Sequence, residues 1–551
     1  MFSTSAEESG LIQAELGFVL LLSIAALVAI ISRRIRLPYT VALVLVGLAL
    51  TFVPNPFDFN LSSELILALL VPPLIFEATL NIRWETLRRN LAPILLLAVI
   101  GTLIGTFIVG GIVMAAKQTL VPELHIPIAA AIAFGALISA TDPVAVIALF
   151  RDLGVSKRLG ILVEGESLFN DGVAIVIFGL AVAAGAAAAT GEGEVFNLID
   201  GLIDFFRISV GGLLVGALLG YLVSSVILKN VDDNLIETAT TVALAFGAFI
   251  LAEQIHVSGV LAVVAAGISV GNIGMQNTSP TTKITLNNFW EFLAFVVNSF
   301  VFLLIGLEAD ITQMQTSFSL IVVAVIAVLF SRAVVVYSLT WLHGRIDIRR
   351  RIPVNYRHVM YWGGLRGAIS LALALSLTGA VFGAEAVNEL RVMTFGVVLF
   401  TLLVQGTTLA PLLGKLKLTD TTDQEREIGR RQAMIFATRA GKQKLDTLFN
   451  DGIISSQVYD SMTHGYRSKM DEREKDLRRL LIEYPELEQT MILEARRELI
   501  EVERSAFKDS FRLGLIPEDV YHDLIRDTDS RFAALDLIKS QISPVEKKEG
   551  K

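Results

Sequence analysis

Gly135–Phe150 reads GALISATDPVAVIALF, a stretch apolar enough for a bilayer that carries Thr141, Asp142 and Pro143 near its centre. Proline lacks an N–H and biases the residue before it away from helix, so a helix must stop and restart here. Asp142 suits the restart as an N-cap, with Pro143 at the first helical position. A second stretch, Tyr361–Leu375, reads YWGGLRGAISLALAL and sets three glycines around Arg366. Interrupted spans at matching places in two halves of a chain are the sequence mark of a transporter built from inverted repeats. The two halves share no residue-level similarity, so the repeat rests on hydropathy and the positions of the breaks.

The composition agrees with a membrane protein. Of 551 residues 53% are apolar and only 18% charged, and mean hydropathy is +0.63. Charges are sparse up to about Leu416 and dense beyond it. The expected division is a transmembrane domain over 1–417 and a charged helical tail over 418–551. A spanning helix needs about 20 apolar residues. By that rule thirteen spans fall near 11–32, 37–54, 61–82, 90–116, 126–150, 159–187, 202–228, 235–254, 258–274, 286–307, 317–342, 358–378 and 387–416. The fold class is therefore an all-α polytopic membrane protein with two broken, crossing helices.

Basic residues give the orientation. RRIR (33–36), RWETLRR (83–89), RDLGVSKR (151–158) and HGRIDIRRR (343–351) follow odd-numbered spans, whereas NPFDFN and TGEGEVFNLID are free of Lys and Arg. Positive loops face the cytoplasm, so the N-terminus is expected outside and the tail inside. The N-terminal segment MFSTSAEESGLIQAELG is acidic and polar, unlike a signal peptide, so the first apolar run is expected to be retained. The absence of Cys excludes disulfides and thiolate metal sites, and six His leave little for a His-rich metal cluster. No cofactor or nucleotide fingerprint is visible, which points away from an enzyme.

The sixth span contains GESLFND, Gly165–Asp171. A rotation of about 100° per residue spreads Glu166, Ser167, Asn170 and Asp171 over about 140° of one helix face. Charged groups at mid-membrane are functional by default. Asp171 offers a titratable carboxylate, Ser167 a hydroxyl and Asn170 an amide, donors that suit a small alkali cation. Asp142 is either a plain N-cap or an ion contact, and the two roles are compatible. The carbonyl of Thr141, freed by the break, can also face a cation. Glu77, in LVPPLIFEATL, either lines a cavity or is an interfacial carboxylate answered by Arg83. Arg366 needs an anion, and the expected partner is Glu166, joining the two repeats as a structural ion pair. Arg332, inside the eleventh span, also needs a partner, which the sequence does not name. Asp171 is then left to hold a proton and a cation by turns, which is exchange by competition.

ISATDPVAV, LVEGESLFNDGVAIV, HVSGVLAVVAAGI, VNSFVFLLIGLE and WGGLRGAISLALAL, in that order, resemble the monovalent cation/proton antiporter-1 family of NhaP-type and NHE-type sodium/proton exchangers. The resemblance covers about Leu16–Leu416. It implies a fold like NhaA with thirteen transmembrane helices, and a homodimer formed through the membrane domain in the plasma membrane. It implies Asp171 as ion and proton carrier, Thr141, Asp142, Ser167 and Asn170 at the ion, Glu77 reaching it through water, and Glu166–Arg366 as the stabilising pair. Asn170-Asp171, rather than two aspartates, resembles the electroneutral branch. The implied substrates are Na⁺ and Li⁺ against H⁺. K⁺ in place of Na⁺ stays open, and a cation channel is disfavoured because no TVGYG-like filter is present.

In the tail, LDTLFNDGIISSQVYDSM from Leu445 and FKDSFRLGLIPEDVYHDL from Phe507 form a weak repeat. Phe449, Gly452, Ile454, Val458 and Tyr459 recur as Phe511, Gly514, Ile516, Val520 and Tyr521. Each copy reads as a helix, a Gly stop and a new helix opened by Ser455 or Pro517. A packing or assembly module is expected in preference to a ligand sensor, with docking of a cytoplasmic regulator as a further expectation. Nothing in the sequence suggests nucleic-acid binding.

Overall fold

The computed structural model describes residues 17–542 except 18, 33, 35–37, 53–62, 123–124, 191–197, 232, 308–310, 348–350, 419–422, 484–491, 494, 497–498, 501, 505, 508–509 and 512–514. Arg33 and Arg36 of the first basic loop, Arg349 and Arg350 of the last, the NPFDFN loop, most of the TGEGEVFNLID loop and Gly514 of the second tail turn lie outside the described residues. The chain divides into two compact units, Met1–Thr419 and Asp420–Lys551.

The described residues of the first unit are helical, without a strand. Its longer helices are α1 (Val19–Ser32), α2 (Tyr39–Leu50), α3 (Ser63–Leu80), α4 (Trp84–Thr119), α5 (Ile128–Ser139), α6 (Val144–Leu153), α7 (Lys157–Thr190) and α8 (Ile199–Asn230). Then follow α9 (Asn234–Gln254), α10 (Gly259–Asn277), α11 (Pro280–Leu307), α12 (Phe318–Ile346), α13 (Val354–Trp362), α14 (Ala368–Ser376) and α15 (Ala384–Lys415). Among the described residues, nine helical stretches are long and apolar enough to cross a membrane. Two of the expected spans are not single helices. The fifth is α5 plus α6, and the twelfth is α13 plus α14.

Between membrane helices the hydrophobic effect gives little drive, so small residues that let backbones meet take its place. α2 lies on α11 in this way: a Cβ on Gly47 would overlap the Leu303 carbonyl, and one on Gly306 the Val44 carbonyl. α5 packs against α4 and α7, which holds the first break beside the polar face of α7. α14 is only 9 residues long, and its far end is secured from α15. Arg391 donates to the carbonyls of Ala374, Leu375 and Leu377 at 3.2, 2.8 and 2.7 Å. A guanidinium there satisfies orphan carbonyls and meets the negative end of the half-helix.

Several long helices contain one wider π-turn, including Leu96–Gly101 in α4 and Thr401–Gln405 in α15. Such turns often sit at functional places. Thr401 accepts on its hydroxyl the backbone N–H of Arg366, 3.1 Å away, so the π-turn of α15 helps to fix the second break.

The second unit contains α16 (Asp423–Asn450), α17 (Ser456–Glu483) and α18 (Glu518–Ile542). The described residues of its two turns make the same contacts. Phe449 stacks on Tyr459 at 4.4 Å and 22°, and Phe511 on Tyr521 at 4.8 Å and 15°. Ile453 N–H donates to Leu448 at 3.0 Å as Leu515 N–H does to Ser510 at 2.9 Å. Tyr459 N–H donates to Ser455 as Tyr521 N–H does to Pro517, both at 3.0 Å. Gly452 closes the first turn at φ +70°, the left-handed conformation that favours glycine. The weak sequence repeat is thus a repeated turn with a repeated aromatic stack.

Candidate functional site

The two helix breaks touch. Asp142 N–H donates to the Leu365 carbonyl at 2.8 Å. Arg366 Nη1 donates to the carbonyls of Ser139 and Ala140, 2.9 and 3.0 Å away, where α5 ends. Asp142 Oδ1 accepts the N–H of Val144 at 2.9 Å, so it caps α6 as its position before Pro143 suggests. A cation thus meets the negative end of one half-helix, and an anion the positive end of the next. Gly367 is required at this contact, because a Cβ there would overlap Asp142 Oδ2.

α7 supplies the other wall. Asn170 reads both sides of Thr141: its Nδ2 donates to Thr141 Oγ1 at 2.8 Å, and its Oδ1 accepts the Thr141 N–H at 3.2 Å. Ser167 Oγ donates to the Thr141 carbonyl. Asn170 and Ser167 thereby hold the first break against α7. The Oδ1 of Asp171 is buried without a hydrogen-bond partner. Asp142, Ser167, Asp171, Glu164, Asn298 and Ser370 line one cavity of about 70 Å³, large enough for a small cation with one or two waters. Three carboxylates line it, Asp142 and Asp171 at the breaks and Glu164 two helical turns away, with hydroxyl and amide oxygens beside them. Among the described residues no group of three His, Cys, Asp or Glu that could hold a metal ion occurs. That donor set suits a hard monovalent cation better than a divalent one.

The expected Glu166–Arg366 pair is not formed. Glu166, only 2% exposed, is gripped by Arg332, whose Nη1 meets Oε1 and whose Nη2 lies 3.1 Å from Oε2. Arg332 Nε and Nη2 also donate to the Met360 carbonyl near the end of α13 at 3.3 and 3.0 Å. The planar fork explains this choice. From α12 it approaches both carboxylate oxygens at once, whereas Arg366 is spent on the backbone carbonyls of the first break. Arg366 still feels the charges of Glu166 and Asp171.

A profile described as "Sodium/hydrogen exchanger, transmembrane" matches residues 20–415. The chain belongs to the sodium/hydrogen exchanger family. This exchanger is 37% identical over 503 residues to the Na(+)/H(+) antiporter ApNhaP of Aphanothece halophytica, covering 90% of this chain and 93% of that one. It is 38% identical over 410 residues to the Na(+)/H(+) antiporter NhaH of Halobacillus aidingensis, covering 73% of this chain and 97% of that one. Its fold is similar to that of the sodium proton antiporter MjNhaP1 from Methanocaldococcus jannaschii, with TM-score 0.60 and 20% identity over 74% of this chain and 100% of that one. It is a multi-pass membrane protein.

The exchanger brings Thr141, Asp142, Ser167, Asn170 and Asp171 together, as the sequence reading expects of the ion site. Glu77 lies apart from the cavity lining, which α3 supplies through Leu74, Ile75 and Ala78. The charges that bear on Glu77 are Arg151, from the end of α6, and Glu291 of α11, rather than Arg83. Arg332, Asn298, Ser370 and Glu164 escape the sequence reading. Arg332 is noted there without a partner, because nothing local in the sequence records which helix faces it. Asn298 reads as one more polar residue in VNSFVF. Glu164 carries a visible signal: it precedes Asp171 by seven residues, which is two turns on the same helix face.

Proposed function

We propose that this chain is a secondary active antiporter that exchanges Na⁺ for H⁺ by competition at Asp171, with Li⁺ as an alternative cation. The observation that carries the reading is a charge count. Where the two breaks meet, Asp142 and Asp171, when ionised, set two negative charges against the single positive charge of Arg366, while Glu166 and Arg332 cancel each other; Glu164, the third carboxylate of the cavity, stands two helical turns from Asp171. One proton or one monovalent cation completes the balance, and both together exceed it. Each therefore displaces the other. Exchange of one for one moves no net charge, which is the electroneutral stoichiometry.

Asp171 is the carrier, with Asp142, Ser167 and Thr141 as further oxygen ligands and Asn170 as the residue that orients Thr141. The touching breaks supply the pivot for alternating access, in a thirteen-span architecture of two inverted repeats. Family membership favours this over a channel, and similarity to relatives known as Na(+)/H(+) antiporters favours Na⁺ over K⁺. Antiport needs no cofactor besides the transported ions. The basic loops assign the tail and the Arg151 end of the site to the cytoplasm, with the N-terminus outside, in a plasma-membrane homodimer that contributes to pH homeostasis. The tail (418–551) is a separable assembly or regulatory module, consistent with a relative that the chain covers nearly completely with 410 residues.

The test is proton movement in proteoliposomes under an imposed pH gradient. Na⁺, Li⁺ and K⁺ are added in turn, with the membrane potential clamped at two values. Dissipation of the gradient by Na⁺, insensitive to voltage and absent in Asp171→Asn, is the expected result. Full activity of Asp171→Asn would remove Asp171 from the role of carrier.

A further inference from the structure

Two glutamates on α7, Glu164 and Glu166, are two residues apart and have opposite surroundings. Glu166 is locked by Arg332. Glu164 is in no ion pair among the described residues, yet it lines the cavity that holds Asp171. An α-helix rises 1.5 Å per residue and turns 100°, so Glu164 sits about 10 Å from Asp171 along the helix and within about 20° of the same face. The cavity is continuous between them. At its inner end the buried Oδ1 of Asp171 lacks a hydrogen-bond partner.

The charges around Glu164 are also resolved. Glu77 of α3 and Arg151 of α6 act on it, and Glu291 of α11 acts in turn on Glu77. Of these four groups Glu164 lines the cavity itself, and together three carboxylates and one guanidinium give it a net negative surrounding. A cleft lined by one sign of charge between low-dielectric walls concentrates counter-ions, by about 10–10³-fold in rate or occupancy. Glu164 is half-buried, and an arriving cation offsets the partial loss of hydration of a carboxylate that has no ion pair.

We propose that Glu164 is a second cation station, two helical turns from Asp171, which receives a monovalent cation from the cytoplasm and passes it inward. The inference rests on Na⁺/H⁺ exchange at Asp171 as proposed above. Glu164 is a carboxylate ligand in transit rather than the carrier. Its loss therefore weakens capture without breaking the competition between cation and proton.

The experiment titrates Na⁺ against full-length protein in proteoliposomes, at low ionic strength and in high choline chloride, for wild type, Glu164→Gln and Glu164→Asp. The expected result is an apparent KM for Na⁺ raised about tenfold in Glu164→Gln at low ionic strength. The maximal rate stays within about twofold, the gap narrows in high salt, and Glu164→Asp recovers most of the affinity. An unchanged KM in Glu164→Gln, or a lost maximal rate at unchanged KM, overturns the station. A wild type that moves no protons in response to Na⁺ overturns both this proposal and the exchange reading. Exchange by wild type that is lost in Asp171→Asn but unaltered in Glu164→Gln overturns the station alone.

Discussion

Arg332 closes on Glu166 with both terminal nitrogens, and the same guanidinium holds the Met360 carbonyl. One side chain of α12 thus ties α7 to the half-helix α13. Removing one member of a buried pair leaves an uncompensated charge, which costs about 3–5 kcal/mol. Glu166→Gln and Arg332→Met are each expected to lower the melting temperature of the purified protein sharply. Glu166→Leu with Arg332→Met together is expected to lower it far less than the sum of the two. Strict additivity in that double-mutant cycle would show that the two groups do not act as a pair.

Competition at one carboxylate has a signature in pH. A bound proton lowers cation affinity as much as a bound cation lowers proton affinity, because the coupling is reciprocal. The apparent KM for Na⁺ should therefore rise as pH falls, approaching about tenfold per pH unit where the carrier is mostly protonated, at a constant maximal rate. A flat KM with a falling maximal rate would place the proton on a different group.

Gly367 is the tightest point of contact between the second break and Asp142. A methyl group there forces Asp142 from its capping position or pushes α14 outward. Gly367→Ala is expected to reduce exchange by at least about tenfold, since displacements near 1 Å cost that much where geometry is preorganised. Gly414, whose Cβ would meet nothing within 4 Å, is the control. Equal rates in the two alanine variants would show that the contact is dispensable.

The two aromatic stacks of the tail make a paired prediction. Each stack contributes about 0.5–1.5 kcal/mol beyond its buried area. Tyr459→Ala and Tyr521→Ala should each speed limited proteolysis at their own turn in the full-length protein, and leave the rate of Na⁺/H⁺ exchange unchanged. A slowed exchanger with an intact tail would reveal a transport role for the turns.

The breaks were legible because proline and clustered glycine act locally: Asp142-Pro143 and the glycines around Arg366 mark where hydrogen bonding along the helix must fail. The polar face of α7 was legible because helical periodicity puts Ser167, Asn170 and Asp171 on one side. Which arginine meets Glu166 was not, since it depends on how α12 is rotated and how far it stands from α7, and neither is written in local sequence. Glu164 lay between the two cases. Its spacing from Asp171 carries the signal, but its neighbour Glu166 on a different part of the face drew the ion-pair assignment. The tail repeat was faint in letters and plain in geometry, because a turn and a stack need only a few residues to recur.

The single uncompensated charge between the breaks also bears on what the protein must not do. With neither ion bound, the moving site would drag a bare negative charge through a low-dielectric barrier, whereas either cargo neutralises it. Under the exchange mechanism proposed above, the return stroke is open only to a loaded carrier. Slippage, the empty crossing that would let a sodium gradient run down without moving protons, is blocked by the same electrostatics that selects the cargo, with no separate gate needed to prevent it.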